Sequence, residues 1–113
     1  MLPSTVRIFV CVTPQDMRRS FDALALAAQQ HVGEDARSGA LFVFINKRST
    51  RLKALWWDRT GYCLLYKRLH QAVFVVPAAT DGKMSVRIDG AALAALLAGV
   101  PRESIARNRH NDS

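Results

Sequence analysis

Cysteine is scarce in this chain: Cys11 and Cys63 are the two among 113 residues, each inside an apolar stretch, with no CxxC and no histidine at ligand spacing. That excludes a disulfide-stapled scaffold and a zinc site, and both are expected as buried free thiols. No apolar run approaches the roughly 20 residues needed to cross a bilayer. Met1-Leu2-Pro3-Ser4 has no basic stretch leading into an apolar core, so no secretory signal is expected and a cytoplasmic setting is. Glycine (6) and proline (4) are few and no tract is of low complexity, which excludes wholesale disorder. Catalytic signatures are missing too. There is no GxSxG, no P-loop and no GxGxxG after a strand, and His31, His70 and His110 are scattered.

Acid is the scarcer charge, with 9 Asp+Glu against 16 Lys+Arg. A metal-dependent nuclease needs paired carboxylates, but the aspartates have structural duties. Asp16 falls at the third position of an expected helix, Asp58 and Asp81 open turns, Asp89 is a helix N-cap, and Asp22 is spaced to pair with Arg18 or Arg19. No enzyme, metal or cofactor is therefore expected, nor any small-molecule substrate.

What is present is half hydrophobic, 50% by count, and long enough for one core. Thr5–Val12 reads as a strand. Thr13-Pro14-Gln15-Asp16 reads as a helix start, with Thr13 as N-cap and Pro14 in the first turn. Met17, Phe21, Leu24, Ala25, Ala28 and Val32 form its apolar stripe, closed by Gly33. Leu41–Ile45, continuously apolar, reads as a central strand covered on both faces. Asn46–Thr50 is a polar turn, Arg51–Trp57 and Tyr62–Leu69 a hairpin whose Gly61 is expected in the left-handed conformation. Ala72–Val76 and Met84–Ile88 read as strands joined through Asp81-Gly82. Asp89 opens a short helix with Leu93, Leu96 and Leu97 inward and Gly99 at its end. The expected fold is a single α+β domain over residues 1–100, in the order β-α-β-β-β-β-β-α, with a mainly antiparallel sheet packed by one long and one short helix. A polar tail over 101–113, with Ile105 as its one apolar anchor, is expected to fray.

Charge is concentrated. The net charge is +7, yet residues 1–45 are neutral and 71–113 carry +1, so 46–70 hold +6. Lys47, Arg48, Arg51, Lys53, Lys67 and Arg68 are expected at one end of the sheet, opposite the Gly61 turn, where they could contact DNA phosphates. Trp56, Trp57, Tyr62 and Tyr66 on the same two strands are candidate stacking groups. The adjacent tryptophans must point to opposite faces, so both are buried only if the two helices cover opposite faces. The competing reading is a solvated basic rim over an aromatic core.

Pro14-Gln15-Asp16-Met17-Arg18-Arg19-Ser20-Phe21-Asp22-Ala23-Leu24 resembles the opening P-x-D-M-R-x-x-x-D-x-L of the TnpB accessory proteins, second-open-reading-frame products of the insertion sequence 66 family. Ser38-Gly39-Ala40-Leu41-Phe42-Val43-Phe44, Arg51-Leu52-Lys53, Trp57-Asp58, Gly61 and Tyr66-Lys67-Arg68-Leu69 are similar to the family's longer block, in the same order, so the likeness runs from about Ile8 to Gly99. Gln15, Ala23 and Val76 depart from it. The resemblance implies a bacterial, non-catalytic protein that assists DNA transposition and associates with the nucleoid when acting. Its expected partners are DNA, at element ends or without sequence preference, and a separate DDE-type transposase with other element-encoded proteins. Arg18 and Arg19 are the candidate partner contacts if it docks on the transposase instead of touching DNA.

Overall fold

A computed structural model describes residues 6–104. Among them no helix is long and apolar enough to cross a membrane. The alternating and continuous apolar runs form a five-stranded sheet from β1 (Ile8–Cys11), β2 (Leu41–Ile45), β3 (Arg51–Trp57), β4 (Tyr62–Arg68) and β6 (Ser85–Ile88), in the spatial order β4-β3-β2-β1-β6. Of these strands, β1 and β2 pair in parallel, with the helical stretch 21–32 between them as the crossover; the other pairings are antiparallel. The domain is α+β. A helix of 12 residues, α1, runs over Phe21–Ala27 and continues over Ala28–Val32 with wider i to i+5 bonding, and a 9-residue helix, α2, covers Gly90–Ala98.

Leu41–Ile45 is buried at every position, as a strand between two covered faces must be. Phe42 and Phe44 point toward α1 and pack with Cys11, Leu24, Ala27, Ala28 and Leu55. Leu41, Val43 and Ile45 point the other way, against Leu52, Phe74 and Leu96 of α2. The helices thus lie on opposite faces. Trp56 and Trp57 divide between them and both are half-buried: Trp56 packs on the α2-side core, while Trp57 meets Tyr62 edge-on at 5.0 Å and carries the Arg37 guanidinium 4.6 Å over its ring.

Local chemistry closes several elements as the sequence implies. Gly33 takes φ +78° and donates its N–H to the Ala28 and Gln29 carbonyls. Asp89 accepts the Ala92 N–H at 2.8 Å. Gly99 takes φ +74°, which strains any side chain, and a Cβ there would lie 2.6 Å from Leu69 Cδ1 and 3.2 Å from the Val73 carbonyl oxygen.

Elsewhere tertiary contacts override local signals. The helix does not begin at Thr13-Pro14. It starts at Phe21 after Ser20, which makes no side-chain cap, because Gln15 N–H donates to Ile45 C=O (3.0 Å) and binds this stretch to the end of β2 as a loop. The stripe shifts with it. Leu24, Ala27 and Ala28 are buried, whereas Phe21 is 42% exposed. Gly61 is not left-handed; Arg59 takes that conformation (φ +92°), stabilised by Asp58 Oδ1, which accepts the Thr60 and Gly61 N–H groups. The expected strand Ala72–Val76 shrinks to β5 (Ala72–Val73), which pairs with β7 (Val100–Pro101) and not with β6. Asp81 and Gly82 do turn with positive φ, but they lead β6 to β1. Phe74 is drawn off strand geometry by donating its N–H to Ser49 C=O (2.7 Å) and burying its ring. Cys11 is buried, while Cys63 is only half-buried, its thiol 3.4 Å from Asp58 Oδ2. Burial pushes the Cys11 thiol pKa up. Residues 105–113, including Ile105, lie outside the described range.

Candidate functional site

A groove of about 650 Å³ opens where the 13–19 loop, the β2–β3 turn, the start of β3, the end of β4 and Arg102 converge. Arg18, Lys47, Arg48, Arg51, Arg68 and Arg102 line it, with Asp16 as the one acid. Met17, Thr50 and Leu69 add apolar and hydroxyl surface.

Each wall has its own support. In the β2–β3 turn the Asn46 side chain accepts the Thr50 and Arg51 N–H groups, both at 2.9 Å, and donates to Thr50 Oγ1 at 3.2 Å. That brace holds Ser49 in the left-handed region (φ +58°) and leaves Lys47 and Arg48 exposed at the tip. Arg51 and Arg68 stand directly opposite each other in the β3–β4 ladder, both exposed. Arg51 Nη1 donates to the Tyr66 hydroxyl at 2.9 Å.

The facing wall is built on Gln15. Its buried amide donates to Thr13 C=O (3.3 Å) and lies 3.8 Å from Cys11 Sγ, and its Oε1 accepts from Arg19 Nη1 at 3.0 Å. Beside it Asp16 accepts the Arg18 N–H at 2.9 Å and grips the Arg18 guanidinium at 2.7–3.1 Å. Those hydrogen bonds, from side chain first and backbone second, lower the Asp16 carboxyl to about 2, so it is ionised at any working pH. Among the described residues no ion pair joins Asp22 to Arg18 or Arg19. The third contributor arrives from far along the chain: Arg102 N–H donates to Gln71 C=O (3.1 Å), next to the β5–β7 pair.

The cations named from sequence separate into two sets. Lys47, Arg48, Arg51 and Arg68 line the groove; Lys53 and Lys67 do not. Lys53 is 7% exposed, donates to Arg19 C=O at 2.7 Å and lies 4.9 Å from the centroid of the Tyr66 ring. It is a strut under the loop, out of reach of phosphate. Half-buried Lys67 donates to Leu97 C=O near the end of α2. Replacing Lys53 by alanine leaves the Arg19 carbonyl without its charged donor and is expected to cost about 1.5–3 kcal/mol, measurable by chemical denaturation.

Arg18, named only as a partner contact, belongs to the groove, and Arg19 serves Gln15. Arg102 was missed, since its position follows from long-range pairing and no local signal marks it. Of the aromatic candidates only Tyr66 adjoins the site. Trp57 and Tyr62 sit at the other end of the β3–β4 hairpin, about 20 Å away along the strand.

Among the described residues, Arg18 alone of the groove cations has a carboxylate partner. The described residues contain no cluster of His, Cys, Asp or Glu able to hold a metal. The arrangement therefore concentrates positive charge around a concave opening and offers acceptor-poor, donor-rich walls suited to an anion.

The profile of the family described as IS66 Orf2 like protein matches residues 6–107. Uncharacterized protein y4hO of Sinorhizobium fredii (strain NBRC 101917 / NGR234) is 39% identical over 102 residues, covering 88% of this chain and 87% of that protein. Uncharacterized protein y4jC of the same strain is 34% identical over 79 residues, covering 70% and 68%. No solved structure matches. Three of the stretches similar to the family's motifs furnish groove lining: Asp16-Met17-Arg18, Arg51, and Arg68-Leu69. By the extent of the profile match and the identity to y4hO, the chain belongs to the IS66 Orf2-like family of transposon accessory proteins.

Proposed function

We propose that this protein assists transposition without catalysing it, by holding DNA phosphates in the basic groove. The observation that supports this reading is the set of five cations, Lys47, Arg48, Arg51, Arg68 and Arg102, gathered around one opening with no carboxylate partner among the described residues. Folding gains nothing from this crowding of like charge, and an anion relieves it. Arginine predominates, and its planar fork grips phosphate oxygens in pairs.

Such binding depends steeply on salt. If each of the five neutralises a phosphate, affinity falls on the order of 10²–10³-fold between about 50 and 200 mM salt. A mobility-shift or anisotropy titration on element-end DNA measures this directly. Absence of binding at low salt, or binding indifferent to salt, overturns the proposal. Co-purification from cells carrying the whole element tests the competing occupant, an acidic segment of the transposase. On the DNA reading the association is lost on nuclease treatment; a complex that survives nuclease overturns it.

A further inference from the structure

We infer that the groove takes an unpaired DNA strand in preference to duplex, an inference that rests on the DNA reading above. Its shape is the first reason. A duplex carries its phosphates on the outside of a stiff convex rod, which meets cations standing on flat or protruding surfaces. Here the cations line an open groove of about 650 Å³, with Lys47 and Arg48 at its turn and Arg51 and Arg68 side by side along one wall. A flexible strand can bend a nucleotide or two along such a groove and meet several of its walls at once, where a stiff rod touches mainly the rim.

The second reason is the chemistry of the rim. Five of the six groove cations are arginines, whose guanidinium planes stack on exposed bases as well as binding phosphate. Tyr66 is 50% exposed on the edge strand β4, and its hydroxyl is tied to Arg51 of the groove wall. That tether, with Lys53 against the ring at 4.9 Å, holds an aromatic platform beside the phosphate-binding wall. Stacking of this kind needs a base whose faces are free, which duplex DNA does not offer. Arg51 and Arg68 would hold the backbone while Tyr66 receives the neighbouring base.

The test compares the full-length protein with three fluorescent DNA probes at low salt: a short single strand, the blunt duplex of the same sequence, and that duplex with a single-stranded tail. The single strand and the tailed duplex should bind at least 10-fold more tightly than the blunt duplex. Tyr66→Ala should weaken single-strand binding about 10-fold with an unchanged melting temperature, and Tyr66→Phe, which keeps the ring, should retain most of it. Equal or tighter binding of the blunt duplex overturns the inference and leaves the DNA reading standing. Failure of all three probes to bind overturns both. Equal losses in Tyr66→Phe and Tyr66→Ala remove the stacking platform from the argument and with it the inference.

Discussion

The double variant Arg51→Ala/Arg68→Ala should fold normally and bind DNA about 10²-fold more weakly at low salt. The two residues are directly opposed across β3 and β4 and both are exposed. Like charges facing each other on adjacent strands repel, so their removal leaves the melting temperature unchanged or slightly raised. The loss on DNA should be uniform across sequences, because phosphate contacts carry no base information. The slope of log affinity against log salt should shrink by about 2, one unit for each cation removed. Transposition of a marked element, scored beside a melting curve, completes the test. A variant that unfolds makes the pair structural; one that transposes normally leaves the groove a solvated rim.

Phe42→Ala is expected to produce the opposite pattern, a loss of about 3–5 kcal/mol of stability with function failing only through unfolding. The ring is fully buried in the middle of the sheet, on the face covered by α1. Phe21→Ala makes the control. Sequence periodicity places Phe21 on the same buried stripe, but at 42% exposure its truncation should cost about 1 kcal/mol or less. Urea denaturation of the two variants side by side checks both values. A cost at Phe21 equal to that at Phe42 would show α1 seated differently on the sheet.

Phe21 also shows where sequence reasoning stops. The 3.6-residue periodicity from Met17 to Val32 is genuine over Leu24, Ala27 and Ala28, yet it cannot mark where the first hydrogen-bonded turn forms. Thr13-Pro14-Gln15-Asp16 has the composition of a helix start. Its backbone instead finds a partner in Ile45, and its carboxylate in Arg18, neither of which a capping pattern anticipates. Asp89 and Gly33 were legible because their partners lie within three to five residues.

The same division runs through the groove. Sequence alone determined that positive charge gathers between residues 46 and 70, that Leu41–Ile45 is central, that Trp56 and Trp57 part to opposite faces, and that the motifs are those of the IS66 Orf2-like family. All of these follow from composition, strand alternation or linear pattern, which are properties of neighbours in the chain. Tertiary structure alone decided which cations are available. Arg51 and Lys53 share a strand face two residues apart, but the Lys53 ammonium is buried on the Arg19 carbonyl while Arg51, tied only to the Tyr66 hydroxyl, stays exposed, so one is a strut and the other lines the groove. Arg102 joins from beyond α2 through the β5–β7 pair, and Arg18 from a loop held by a buried glutamine. Contacts between residues thirty or more positions apart depend on how whole elements dock, and charge patterning along the chain carries no record of that.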